Sequence, residues 1–251
     1  MTRPIHLAAA LATAAMILLA GCASTPESTG PATTIDSPTF GTPPEGSFDM
    51  TARSIDDPAS IWVVSNKTRS LDPAEYAPTD LVDVPVAYAN PPVLRQEASA
   101  AVVEMFAAYT QETGLELASQ STYRSYDSQK KLFTGYVSSM GLEEAERASA
   151  RPGHSEHQTG LAIDIAALPA NCTLEECFGD TPQGIWLRDN SWRFGFVLRY
   201  APGQEGVTGF KYEPWHFRYV GVELATEYHT VGATSLEQFF GLPPAPDYVA
   251  G

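Results

Sequence analysis

Basic residues are scarce in this chain. Lys and Arg number 15 against 30 Asp and Glu in 251 residues, a formal charge of −15, and they nowhere cluster. The absence of a basic patch excludes nucleic-acid binding and electrostatic capture by anionic surfaces. It does not exclude recognition of an anionic peptide terminus, because the field that matters there is local. Cysteine is limited to Cys22, Cys172 and Cys177, and histidine to His6, His154, His157, His216 and His229. No internal repeat is visible. The apolar run from Leu7 to Ala20 is too short and too weakly flanked for a transmembrane helix.

What that run does resemble is an export signal. A basic start at Arg3 precedes it, and small residues follow at Ala20-Gly21. Leu19-Ala20-Gly21-Cys22 is similar to the lipobox of bacterial lipoproteins, in which the cysteine becomes the lipidated N-terminus. An ordinary secretory signal cut nearby is the alternative, and both readings export the protein. We therefore expect a lipoprotein signal peptide over 1–21, and over 22–50 a lipidated Cys22 with a disordered Pro/Ser/Thr linker. Such a coil spans roughly 30 Å at about 5–6 Å × √n. A folded domain follows over 51–251, of a size that buries a proper core.

Within the domain, apolar residues recur at helical spacing from Leu94 to Thr113, with Gly114 as the expected C-cap. Leu115 to Tyr123 reads as a strand. A helix capped by Asp127 or Ser128 runs to about Met140, and a second covers Leu142 to Ala150. Leu161 to Ala167 alternates as a strand, Thr181 to Arg193 reads as a helix, and Phe196 to Tyr200 as a strand. A loop with Gly203, Gly206 and Gly209 leads to a last strand at Trp215 to Val220. Short helices at Gly221 to Tyr228 and Ser235 to Phe240 close the chain. Helices flanking a small, mostly antiparallel sheet make an α+β fold.

Two segments carry chemistry: Ser155-Glu156-His157-Gln158-Thr159-Gly160-Leu161-Ala162-Ile163-Asp164 and Glu213-Pro214-Trp215-His216. On the first strand, Leu161, Ile163 and Ile165 share one face, while Asp164 lies on the other between two alanines. Gly160 permits a turn that folds His157 back toward Asp164. Two imidazoles and one carboxylate (His157, Asp164, His216) are the ligand count of a catalytic zinc centre with an open fourth position. The net charge of +1 keeps such a centre Lewis-acidic, able to lower the pKa of bound water toward ~7. Pro214 suits the start of a strand, so Glu213 falls just outside it, beside the metal water, where a hydrolase needs a base. The competing reading is a buried hydrogen-bonded cluster.

These segments resemble the two zinc motifs of the D-alanyl-D-alanine carboxypeptidase family of zinc peptidases, the vancomycin-resistance type. Ser121-Thr122-Tyr123-Arg124-Ser125-Tyr126-Asp127-Ser128-Gln129 resembles its substrate-side motif, and the likeness runs from about Trp62 to Phe240. The resemblance implies a fold of the hedgehog and D,D-peptidase kind and a Zn2+ cofactor. It also implies substrate-lining roles for Arg124, Gln129 and Ser155, with Arg124 sharing the oxyanion and Glu213 as the catalytic base. A salt-bridged surface arginine is the alternative for Arg124. The pattern assigns the ligand to His157, which leaves His154 either substrate-side or structural. Phe210 and Thr122 depart from the Tyr and Gly common in relatives, and Phe210 removes a hydroxyl from the substrate side. Trp215, Phe217 and Tyr219 are expected to face the core, and His229 to be structural at a helix end. Two close cysteines in an exported protein pair more often than they stay free, so Cys172 and Cys177 are expected to form a disulfide.

The activity implied is removal of the terminal D-alanine from peptidoglycan stem peptides, by a monomer anchored to the outer face of the membrane and facing the cell wall. An L,D-carboxypeptidase, an endopeptidase on the same peptides, and a zinc-containing binding module without turnover are the alternatives.

Overall fold

The computed structural model describes residues 48–249. The expected signal peptide, Cys22 and almost all of the linker lie outside the described residues. Among the described residues no helix is long and apolar enough to cross a membrane.

The chain enters through Ile61-Trp62-Val63-Val64, all buried. Two short strands follow, β1 (Leu81–Asp83) and β2 (Val93–Arg95), paired antiparallel. Sequence patterning missed both, because three-residue strands carry no periodicity to read. Helix α1 (Gln96–Thr113) buries Ala98, Val102, Met105, Phe106 and Tyr109 along one face. It ends at Gly114, whose φ of 71° is the left-handed conformation that stops a helix.

Strand β3 (Glu116–Ser121) leads to α2 (Tyr126–Met140) and α3 (Leu142–Ala148). The cap of α2 is neither Asp127 nor Ser128. Ser125 Oγ accepts the backbone N–H of Ser128 instead, which starts the helix a residue or two earlier than expected. Strand β4 (Ala162–Leu168) is followed by α4 (Pro182–Asn190), which gives way to a 3₁₀ turn at Ser191–Phe194. Then come β5 (Phe196–Leu198), the one-turn helix α5 (Glu205–Thr208), β6 (His216–Tyr219), α6 (Val222–Thr230) and α7 (Leu236–Phe239).

Strands β3, β4, β6 and β5 form one antiparallel sheet in the order β3-β4-β6-β5. Packed helices around this sheet give the α+β class. Leu161, Ile163, Ile165, Phe196 and Phe217 are fully buried on the core side. The central pair, β4 and β6, is covered on both faces, since Asp164, His216 and Arg218 are buried as well. In that pair Asp164 stands directly opposite His216.

Candidate active site

His157 sits in a single 3₁₀ turn, Glu156–Thr159, that ends at Gly160 with φ 67°. A side chain at Gly160 would meet Leu81 Cδ2 at 2.9 Å and Arg95 Cγ at 3.0 Å, so both the conformation and the space require glycine. On β3, a register shift between Ser119 and Ser121 ends the regular pairing with β4. Just beyond it, the Thr122 carbonyl accepts a hydrogen bond from His157 Nδ1 at 2.8 Å. That bond fixes the tautomer and leaves Nε2 facing Asp164, 3.3 Å from Oδ2.

His216 presents the opposite nitrogen. Its Nδ1 lies 3.1 Å from Asp164 Oδ1, and its Nε2 lies 3.4 Å from Glu156 Oε2. Glu213 is brought alongside by a tight turn in which His216 N–H donates to the Glu213 carbonyl at 3.1 Å. Pro214 occupies the second position of that turn, which its fixed φ favours. The Glu213 carboxylate ends 3.8 Å from His216 Nδ1.

Burial and mutual charge set the protonation of this cluster in the metal-free protein. Burial alone would raise Asp164, but His157 and His216 hold its carboxyl well below the usual range. Burial lowers His157. His216 feels the same burial but is pushed up to about 9 by its bonds to Asp164 and Glu156. Burial pushes Glu213 up to about 8 in the metal-free protein.

Donor atoms of His157, Asp164 and His216 all lie within 4.8 Å of one another. Two imidazole nitrogens and a carboxylate oxygen, each imidazole held from behind by an acceptor, fit a zinc ion. The three expected ligands are thus brought together by an isolated turn and two neighbouring strands.

A cavity of about 550 Å³ opens over this cluster, and Arg124, Ser155, Tyr200, Phe210 and Glu213 are among the residues that line it. Arg124 is fixed by Gln129, whose Oε1 accepts from Arg124 Nε at 2.5 Å. Gln129 does not line the cavity. It is fully buried, and its amide is spent on Ser149 Oγ and the Ala150 carbonyl. Gln129 was expected at the substrate; the structure places it behind Arg124, holding the arginine that does line the cavity. His154 also lies elsewhere: its Nδ1 is 2.7 Å from the Asn66 carbonyl and its ring packs edge-on against Tyr248. Trp215 packs against the core as expected and also borders the cavity, while Phe217 and Tyr219 are buried. His229 stacks flat on Trp192, 4.3 Å between ring centres. Cys172 and Cys177 have Cα atoms 5.6 Å apart and sulfurs in bonding contact, and Leu174 between them borders the cavity.

Two participants escaped the sequence reading, Glu156 and Tyr200. Tyr200 lies 4.9 Å, ring to ring, from both His216 and Phe210. Glu156 could have been suspected, since a charged residue inside a buried motif must have a partner.

Comparison with known proteins matches residues 92–222 to the family model for VanY, D-alanyl-D-alanine carboxypeptidase. YodJ of Bacillus subtilis (strain 168) is 42% identical over 192 residues, covering 74% of this chain and 69% of YodJ. Among solved structures, the LdcB LD-carboxypeptidase superposes with a TM-score of 0.68 at 41% identity, covering 73% of this chain and 87% of that one. VanYB in complex with D-alanine-D-alanine superposes with a TM-score of 0.60 at 31% identity, covering 72% and 97%. A mutant VanY from the VanB-type resistance cassette, in complex with Zn(II), does so with a TM-score of 0.57 at 30% identity, covering 72% and 98%.

Proposed function

Since the chain belongs to the D-alanyl-D-alanine carboxypeptidase family, we propose that it removes the terminal D-alanine from peptidoglycan stem peptides. The observation that carries this reading is the convergence of a zinc-binding triad, Glu213 and Arg124 on one cavity. Zinc bound there supplies a Lewis acid that lowers the pKa of water toward ~7.

Glu213 takes the proton of the attacking water as its oxygen bonds to the terminal peptide carbonyl carbon. When the carbon–nitrogen bond breaks, Glu213 returns a proton to the departing amine, so the carboxylate is regenerated. Arg124, held by Gln129, faces the oxygen on which negative charge develops. Ser155 lines the same cavity and offers a hydroxyl to the substrate backbone or carboxylate.

A second reading has its own support. The LdcB LD-carboxypeptidase is more similar in sequence and structure than VanYB, which favours cleavage between an L- and a D-centre. Defined penta- and tetrapeptide stems, incubated with zinc-loaded and chelated protein and read by mass spectrometry, test both. Loss of one alanine from the pentapeptide alone, abolished by chelation, is the result expected. Loss from the tetrapeptide alone would replace it with the second reading. No product from either stem with zinc bound would refute both and leave a binding module.

With this activity go the expected export, lipid anchoring at Cys22 and monomeric state, and a disulfide between Cys172 and Cys177 that pins the loop bordering the cavity. Radiolabelled palmitate incorporated by the intact chain but not by Cys22→Ser tests the anchor.

A further inference from the structure

Beneath the metal-binding residues lies a layer of charge with no access to solvent. The side chains of Glu156, Arg199, Arg218 and Glu237 are all buried at 0% exposure. Glu156 Oε1 accepts from Arg199 Nε at 2.8 Å and from Arg218 Nη1 at 3.0 Å. Its other oxygen is left for His216 Nε2. The two arginines are themselves fixed. Arg199 makes a fork with both oxygens of Glu237, at 2.9 and 2.7 Å, and Asn66 braces Glu237 from behind at 2.9 Å. Arg218 donates to the carbonyls of Ile61, Val63 and Tyr219. Two carboxylates and two guanidiniums leave the layer neutral, and every side chain in it has its direction decided by the next.

We propose that Glu156 is a positioning residue for the metal centre: its locked carboxylate holds the Nε2–H of His216, so that this ring can only present Nδ1 beside Asp164. The inference rests on the reading of His157, Asp164 and His216 as the zinc site. The Glu156 carboxylate is spent on Arg199, Arg218 and His216 and is not one of the clustered metal-ligand donors. It acts through His216.

The two histidines are therefore held by different means. His157 leans on a neutral backbone carbonyl, whereas His216 leans on a carboxylate. A carboxylate behind an imidazole makes the ring a stronger donor as well as an oriented one, and losing such a partner typically weakens metal binding ~10–100-fold. Rotation of the His216 ring by a half-turn would remove Nδ1 from the cluster. The Glu156 bond opposes that rotation, and the two arginines prevent Glu156 from following it. A surface carboxylate could do neither, since water would compete for it and its side chain would swing.

Zinc affinity measured by chelator competition, together with long-range proton–nitrogen correlation of nitrogen-labelled histidines in the zinc-loaded protein, tests this. Wild-type protein should show His216 with one proton, on Nε2, and the metal on Nδ1. Glu156→Gln should bind zinc ~10–100-fold more weakly and lose the single, slowly exchanging Nε2–H signal. Glu237→Gln loosens Arg199 without touching His216. It should lower thermal stability and, because Arg218 still holds Glu156, weaken zinc binding less than Glu156→Gln does.

If Glu156→Gln is too unstable to purify, because two guanidiniums lose a charged partner, the wild-type spectrum decides alone. A proton on His216 Nδ1, with metal on Nε2, overturns the proposal. A folded Glu156→Gln that binds zinc as tightly as wild type, with the Nε2–H intact, overturns it too. Wild-type protein that binds no zinc would instead overturn the metal reading on which the proposal depends, so the two failures are distinguishable.

Discussion

Arg199 offers a severe test of how the interior is held together. Its guanidinium is 0% exposed and makes three charge-assisted bonds, one to Glu156 and two to Glu237. Arg199→Met keeps an unbranched side chain of similar reach but removes the charge. Two buried carboxylates then share Arg218, His216 and the Asn66 amide. Breaking a buried pair by deleting one partner costs about 3–5 kcal/mol, because the other charge is stranded.

For a domain of this size each kcal/mol shifts Tm by about 2–4 °C, so a fall of roughly 6–20 °C is expected by calorimetry near neutral pH. Arg188→Ala, at a half-exposed pair with Asp189, should stay within about 2 °C, as surface pairs contribute little. Acid sharpens the test. Burial alone would raise the Glu237 carboxyl, but Arg199 outweighs it and holds it below its ordinary 4.5. A depressed carboxyl contributes stability that is present above its unfolded value and lost as pH falls toward the folded one. The gap between wild type and Arg199→Met should therefore narrow below pH 4.5. A variant within 2 °C of wild type at neutral pH, or a gap that widens in acid, would refute this account.

Two further outcomes follow from the cavity. Glu213→Gln should lower kcat by about 10²–10⁴ while zinc affinity changes less than about threefold. Unchanged turnover on a stem-peptide substrate would remove Glu213 from the reaction. Gln129→Leu should leave Arg124 unheld and lower kcat about 10–100-fold with a smaller change in KM, as expected for loss of a hydrogen bond to a charged group worth ~1.5–3 kcal/mol. A pure rise in KM would mean that Gln129 serves ground-state binding instead.

Much of the site was legible because its residue types are chemically demanding. His157, Asp164 and His216 lie in short segments whose spacing and alternation already implied convergence, and Pro214 fixed where Glu213 must stand. The long helix α1 could be read from its apolar face and from Gly114. The short strands β1 and β2 could not, since their pairing depends on contacts distant in sequence. The assignment of Gln129 to the substrate came from its motif. Its Oε1 holds Arg124 within the same motif, but its amide partners, Ser149 and Ala150, are about twenty residues away, beyond any local pattern. Arg199 and Arg218 were unreadable for a related reason. A lone charged residue normally signals solvent, and only the assembled interior reveals that each has a buried partner of opposite sign. The Asn66 carbonyl that meets His154 Nδ1 lies 88 residues away in sequence, so that contact could not be read from the motif.

The facing of Asp164 and His216 across the two central strands has a consequence for maturation. Successive side chains on a strand point to opposite sides, so zippering these strands one step out of phase would turn one of the two residues away from the other. Such a chain has no place for the ion. Occupancy by metal thus proofreads the pairing of the sheet, and the free energy of capture accrues only to molecules whose topology is already right.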